Sequence, residues 1–237
     1  ILKNDKANLL RADAICAVSK FSAEFVKNKL IDKNIDLIYN PIENAVFTKR
    51  DNYETNRDIL FFGKIIETKG AFSLIKAFNI VAGIFTDARL ILIGSGESEK
   101  AKILLDDTIA ERVIFKGFMN NADLLKEIDK AFICVLPSYI ENFSMAALEV
   151  LARSCPLIYS ERSSGKELIS DGENGWLINP EDPQQIANTI IYALEHPEET
   201  AQIARAGYEK CKSEFSTEVI IPQLEEYYHN IIDNKTK

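Results

Sequence analysis

From about Asn56 to Phe215, short and nearly unbroken apolar runs alternate with longer amphipathic stretches, and this rhythm constrains the fold more than any other feature of the chain. The runs are Ile59-Leu60-Phe61-Phe62, Leu90-Ile91-Leu92-Ile93, Val113-Ile114-Phe115, Phe132 to Leu136 and Pro156 to Tyr159, and Trp176-Leu177-Ile178 adds a sixth. A strand with one wet face alternates apolar and polar residues, whereas a strand that is apolar throughout has to be covered on both faces. Parallel strands joined by helices meet that condition, so the expected fold is α/β, a Rossmann-like parallel sheet with helices on both faces. Ala71 to Val81 sets Phe72, Leu74, Ile75, Phe78 and Val81 along one side of a helix, and Ser144 to Leu151 does the same with Met145, Leu148 and Leu151. Beyond Pro183 helix follows helix, interrupted at Pro197 and at Phe215-Ser216-Thr217, and this end is expected to pack outside the sheet and finish in a polar tail.

Residues 1–50 read differently. A strand-like Ala14 to Val18, a helix opened by Ser19 and Ser22, a second strand at Leu37-Ile38-Tyr39 and then Asn40-Pro41 suggest the remnant of a preceding domain and its linker. Ile1 in place of Met, leading quickly into a strand-like segment, suggests a fragment or a processed product. Thr48 to Arg57 is polar and turn-rich, as a surface loop would be. The expected division is 1–50, a main domain over 51–215, and a C-terminal helix and tail over 216–237.

Composition removes several function classes. The formal charge of -8, from 36 acidic and 28 basic residues, leaves no broad positive surface for nucleic acid. Cys16, Cys134, Cys155 and Cys211 stand far apart without a C-x-x-C pair, which suggests buried reduced thiols. His196 and His229 are the only histidines and lie in the helical C-terminal region, so a histidine triad or zinc set has little to draw on. No apolar run has the length of a membrane span and no signal segment opens the chain, so the expected location is cytoplasmic.

Two segments could carry chemistry. Gly63-Lys64 directly follows a buried strand, and Lys69-Gly70 lies at the start of the next helix. Ligands in an open parallel sheet bind at the carboxyl ends of strands, where free helix N–H groups add to a positive field, so these lysines could hold a diphosphate. Taken alone, they could equally be solvated loop cations. Glu141 and Glu149 bracket the end of the Phe132 to Leu136 strand and the helix after it, Glu141 in the loop and Glu149 about two turns into the helix. A carboxylate accepts paired hydrogen bonds from vicinal hydroxyls, which suits one glutamate to a sugar and the other to a ribose, with the N–H groups of Phe143 to Met145 free for a phosphate. A loop glutamate and an exposed helix glutamate would show the same spacing. Gly94-Ser95-Gly96 has Glu99 where a dinucleotide fingerprint needs its third glycine, so it reads as a tight turn rather than an NAD site.

In combination and in order, these segments resemble the GT4-type glycosyltransferases, also called glycosyl transferases group 1, which have the two-domain GT-B architecture. Phe61-Phe62-Gly63-Lys64 through Glu67-Thr68-Lys69-Gly70 is similar to the family's phosphate segment, and Leu92 to Gly96 and Val113 to Phe118 to its next two strand ends. Leu136 to Ser144 through Leu148-Glu149-Val150-Leu151-Ala152 resembles its E-x7-E element, and Pro156-Leu157-Ile158 and Asp171 to Leu177 follow in the expected places.

The resemblance implies that the chain is the C-terminal, donor-binding half, with residues 1–50 the end of an N-terminal acceptor domain and linker. It implies retaining transfer of a sugar from a nucleoside-diphosphate donor, carried by UDP or GDP, to an acceptor hydroxyl in polysaccharide biosynthesis. Lys64 and Lys69 would bind the diphosphate, Glu141 the sugar and Glu149 the ribose. Phe118 and Met119 would flank the base, and Gly63, Asn142, Phe143, Ser144 and Met145 would complete the donor site. Glu141, Lys64 and Lys69 are the catalytic candidates. No aspartate pair of metal-binding type lies near these loops, and the resemblance likewise implies no required metal. A glycan or lipid-linked acceptor would be held by the N-terminal half, without which this chain should not turn over, and the full-length protein could attach peripherally to the inner face of the membrane.

The sequence departs from the family twice. Lys64 stands where arginine is usual, keeping the charge and losing the bidentate fork. Asn142-Phe143-Ser144 replaces a glycine-containing stretch, which adds Cβ atoms near the ligand. These departures motivate the alternative of a catalytically degenerate nucleotide-sugar-binding module; an unrelated doubly wound protein such as a dehydrogenase is the other rival.

Overall fold

The computed structural model describes residues 2–51, 53 and 56–235. In chain order its elements are α1 (Leu2–Arg11), β1 (Cys16–Ala17), α2 (Lys20–Lys29), β2 (Asp36–Leu37), β3 (Asp58–Phe62), α3 (Ala71–Ile84), β4 (Arg89–Ile93), α4 (Ser98–Lys102), β5 (Val113–Gly117), α5 (Asn121–Lys130), β6 (Ile133–Leu136), α6 (Met145–Ala152), β7 (Leu157–Ser160), α7 (Gly165–Leu168), β8 (Trp176–Ile178), α8 (Pro183–Glu195), α9 (Pro197–Phe215) and α10 (Thr217–Lys235).

Each of the six apolar runs falls on a strand, and β3 to β8 pair in parallel in the order β5-β4-β3-β6-β7-β8. Every residue of β3, β6 and β7 is buried. Successive side chains of a strand point to opposite faces, so both faces of the sheet are covered. The cover comes from paired helices, α3 against α8 and α6 against α9. This is the expected Rossmann-like sheet. After β5 the chain returns to the other side of β3 to lay down β6, so the loops leaving β3 and β6 diverge and open a crevice at their carboxyl ends.

The helices start where side chains can satisfy their free N–H groups. Ser19 accepts from the Ser22 amide at 3.0 Å, Asn120 from Asp123 at 3.0 Å and Asp182 from Gln185 at 3.0 Å, the last with Pro183 in the first turn. Ser144 accepts from Ala147 at 3.2 Å, which places the start of α6 at Met145. Met145 itself is exposed, while Leu148 and Leu151 are buried as expected.

The N-terminal piece differs in part from expectation. A helix, α1, precedes the first strand, and β1 and β2 are two-residue strands paired in parallel. Cys16 is exposed rather than buried, because its strand belongs to this small pair and not to the covered sheet, whereas Cys134, Cys155 and Cys211 are buried free thiols. The linker after β2 meets the α9–α10 junction: Ile42 N–H donates to the Phe215 carbonyl at 2.8 Å and Thr217 N–H to the Ile42 carbonyl at 3.0 Å. From there α10 stays helical to Lys235, with no polar tail before that point. Its Tyr227 sits beside Cys16 and Asp36, and burial followed by these two groups raises its phenol pKa.

The expected loop from Thr48 to Arg57 contains residues 52, 54 and 55, which lie outside the described residues. Arg50 in that loop is buried. Its guanidinium donates to the carbonyls of Ile128, Ala131 (2.9 Å) and Arg153 (3.2 Å) at the ends of α5 and α6, where helix carbonyls lack partners and the helix dipole is negative.

Candidate active site

Three strand-end turns are zipped together at the crevice. Gly63 N–H donates to the Ile93 carbonyl at 2.9 Å, Ile65 N–H to Ser95 at 2.9 Å and Gly94 N–H to Gly117 at 2.7 Å. Gly94 has a left-handed φ of +142°, and a Cβ there would lie 1.8 Å from the Gly63 carbonyl oxygen, so no other residue fits this junction. The turn carrying Lys64 is thereby held in place.

Gly70 performs the corresponding task on the other side. It ends the short 3-10 turn Glu67–Lys69 with φ +74° and starts α3, and a Cβ would fall 1.9 Å from the Pro137 carbonyl oxygen. Tyr139 N–H donates to the Thr68 carbonyl at 2.9 Å across the same seam. These contacts bring the segment after β3 against the segment after β6, and their result is a direct ion pair between Lys69 and Glu141. Both side chains keep partial exposure, 33% for Lys69 and 25% for Glu141, so the pair is open to a ligand. Glu141 N–H donates to Ser163 Oγ at 3.3 Å, which adds the loop after β7 to the site.

Lys64 is exposed and has no ion-pair partner among the described residues. It edges a cavity of about 320 Å³ whose walls include Phe62, Ile93, Phe118 and Met119. This cavity shares Phe62 and Gly63 with a second one that holds Lys69, Glu141 and Ser144, so the two form one groove across the crevice. One end of the groove is apolar and the other charged. Phe118 is 85% exposed, presenting a bare ring at the apolar end.

The remaining expected residues divide. Asn142 and Met145 are exposed at the crevice. Phe143 turns its ring away from the crevice to stack on Tyr39 at 5.2 Å and meet Phe215 at 5.7 Å, so only its backbone is left for a ligand. Among the described residues no group accepts from the amides of Phe143, Ser144 and Met145. Glu149 is the fifth residue of α6, one turn in rather than two, because the helix starts after the Ser144 cap and not at the end of β6. It accepts from Asn121 Nδ2 at 2.8 Å at the start of α5; burial raises its pKa and this hydrogen bond partly offsets the rise. Glu149 and Glu141 thus face different parts of the crevice.

Sequence reasoning missed Asn121 as the partner of Glu149, whereas Ser163 lies in the stretch Ser163-Ser164-Gly165-Lys166-Glu167, which fits the family's donor-facing loop by sequence without an assigned role. Ser163 has φ +56°, one of two described non-glycine residues with a positive φ, and such strain persists where the surroundings fix it. Among the described residues no three His, Cys, Asp or Glu side chains converge as a metal-ligand set. No described helix is long and apolar enough to cross a membrane.

Comparison with known proteins places this geometry. The chain is 30% identical over 139 residues to poly(glycerol-phosphate) alpha-glucosyltransferase of Bacillus subtilis, covering 57% of this chain and 20% of that protein. It is 27% identical over 247 residues to N-acetyl-alpha-D-glucosaminyl L-malate synthase of Bacillus anthracis, covering 95% of this chain and 63% of the relative. It therefore spans less than two thirds of either. Among solved structures, sucrose-phosphate synthase from Thermosynechococcus elongatus superposes with a TM-score of 0.85 at 24% identity over 98% of this chain and 62% of that one. Anabaena HepE in complex with UDP and glucose gives 0.83 at 23% identity, over 96% and 66%. At these identities the structural likeness shows the fold, the C-terminal half of GT-B. The sequence model for glycosyl transferases group 1 matches residues 43–210, most of the chain, and the protein belongs to that family.

Proposed function

We propose that the chain is the donor-binding half of a retaining glycosyltransferase that moves a sugar from a nucleoside-diphosphate sugar to an acceptor hydroxyl. The observation that carries this is the groove at the β3/β6 crevice, where an apolar end beside Phe118 and Met119 continues into a charged end with Lys64, Lys69 and Glu141. A base fits the first and a sugar diphosphate the second. HepE, which shares the fold, was solved in complex with UDP, and this supports UDP as the first donor carrier to test, ahead of GDP.

The chemistry follows from where charge develops. As the glycosidic bond breaks, negative charge grows on the leaving diphosphate, and fixed cations stabilise that state more than the ground state. Lys64, Lys69 and the N–H groups at the start of α3, which has no side-chain cap, supply this field. Removing one lysine should cost about 3 kcal/mol, roughly a hundredfold in rate. Glu141 accepts from sugar hydroxyls and Glu149, beside Asn121, from the ribose. Leaving-group stabilisation of this kind needs no metal. The acceptor, a glycan or a lipid-linked saccharide, would be held by the domain that precedes this chain, and any attachment to the inner face of a membrane would belong to the full-length protein.

The test is turnover by the full-length protein with a nucleotide sugar, following release of nucleoside diphosphate and the anomeric configuration of the product by NMR. Nucleotide release with the donor's configuration kept is the expected result. Inversion would contradict retention, and donor binding without release would favour the degenerate binding module instead.

A further inference from the structure

Four residues beyond Ser163, Glu167 of α7 reaches across to the N-terminal piece. Its carboxylate accepts from the Lys20 amide at 2.7 Å and from the Phe21 amide at 3.0 Å, both in the first turn of α2. A helix leaves its first N–H groups without intrahelical partners and its N-terminal end positive, so a carboxylate there gains two charge-assisted hydrogen bonds and the helix dipole. The segment itself does not supply this. The first turn of α2 carries no acidic residue, and its own cap, the fully buried Ser19, accepts from the Ser22 amide instead. The amides of Lys20 and Phe21 are answered by a residue 147 and 146 positions further along the chain. The family match begins at residue 43, so this contact joins a segment ahead of the matched domain to a loop inside it.

The same loop holds Glu141, whose amide donates to Ser163 Oγ at 3.3 Å. A second joint starts from the N-terminal piece as well: the Tyr39 ring stacks at 5.2 Å on Phe143, two residues after Glu141. Glu141 is thus tied to residues 1–50 twice, through Phe143 and through the loop after β7. We propose that Glu167 is a positioning residue for sugar transfer: by locking the N-terminus of α2 to α7, it holds the N-terminal piece, and the acceptor-binding domain proposed to precede it, in line with the donor site. The acceptor hydroxyl and the anomeric carbon come from opposite sides of this joint, and a misplacement of about 1 Å can cost about a hundredfold in rate. Glu167 acts on that alignment without touching the reacting atoms.

This rests on the donor-binding reading, and the test separates the two. Hydrogen exchange is followed in the 237-residue chain, and kcat and the donor KM in the full-length protein with UDP-glucose, GDP-mannose and ADP-glucose. Both are measured on the parent, Glu167→Ala, Glu167→Gln and Ser19→Ala. Ser19→Ala is the control, since it uncaps the same helical turn and leaves the link to α7 in place. Glu167→Ala should speed exchange in α2 and also in residues 141–143. It should lower kcat about tenfold, the scale of one hydrogen bond to a charged group, with the donor KM unchanged. Glu167→Gln keeps one neutral acceptor and should fall between. Ser19→Ala should speed exchange in α2 alone and keep the parent's kcat. Parent kcat in Glu167→Ala, or equal losses in Glu167→Ala and Ser19→Ala, overturns the positioning role and leaves the donor site standing. A parent that turns over none of the three donors overturns both.

Discussion

Arg50 under the linker and the lysines at the crevice are all cations, and they differ in how much of their hydrogen-bonding capacity the fold uses. Arg50 is buried and spends Nε and both terminal nitrogens on three carbonyls at the ends of α5 and α6. Lys69 has one carboxylate partner and stays a third exposed, and Lys64 has no described partner at all. A cation whose donors are all taken by backbone stabilises the fold and has nothing left for a ligand. Cations held in place by glycine-mediated loop contacts, with donors unspent, stabilise little and are available to an anion. Structural and functional charge are told apart here by saturation rather than by residue type.

The comparison breaks most visibly at Arg50. Arg50→Ala should remove about 3 kcal/mol of stability, because the helix-end carbonyls lose a buried charged donor. For a chain of this size that is a fall of roughly 6–12 °C in unfolding midpoint. Nucleotide affinity of the folded protein should stay at the parent value. An unmoved midpoint would erase the distinction between the two cation classes.

Lys64→Ala is the converse. With no partner to lose, the midpoint should move by about 1 °C or less. Nucleoside diphosphate should bind about tenfold more weakly by calorimetry, the value of one charge-assisted contact. Loss of stability without loss of affinity would make Lys64 structural.

Glu149 sharpens the comparison at smaller scale, since it is a half-buried carboxylate whose hydrogen-bond partner among the described residues is a neutral amide. Burial raises its pKa, so over a range of pH the folded state keeps a proton that the unfolded chain has lost. Its contribution to stability therefore falls as pH rises from the ordinary glutamate value through the raised one. Glu149→Gln should remove that fall, so its midpoint exceeds the parent's at neutral pH and the two converge below about pH 4, where both forms are neutral. Thermal unfolding across pH reads this directly, and a parent profile that rises over the same window would contradict the buried environment.

The strands were legible because burial on both faces leaves a mark that needs no tertiary knowledge: Ile59 to Phe62 is apolar at every position. The crevice residues were legible as types on loops, through Gly63-Lys64, Lys69-Gly70 and Glu141. Their pairing was not. Lys69 meets Glu141 because Gly70 touches the Pro137 carbonyl, a contact between segments far apart in sequence. The depth of Glu149 was misread because Pro137 to Phe143 stays out of the helix until Ser144 caps it. Arg50 was hidden in the Thr48 to Arg57 stretch expected to be a surface loop, because its carbonyl partners come from helix ends far away in sequence.

The most direct measurement is calorimetric titration of this chain with UDP, GDP and ADP, beside Lys69→Ala and Glu149→Ala. The account predicts that one diphosphate binds, that each substitution weakens it, and that Lys69→Ala keeps the parent's unfolding midpoint. Binding that both variants retain in full would place the nucleotide elsewhere and contradict the assignment of the β3/β6 crevice as the donor site.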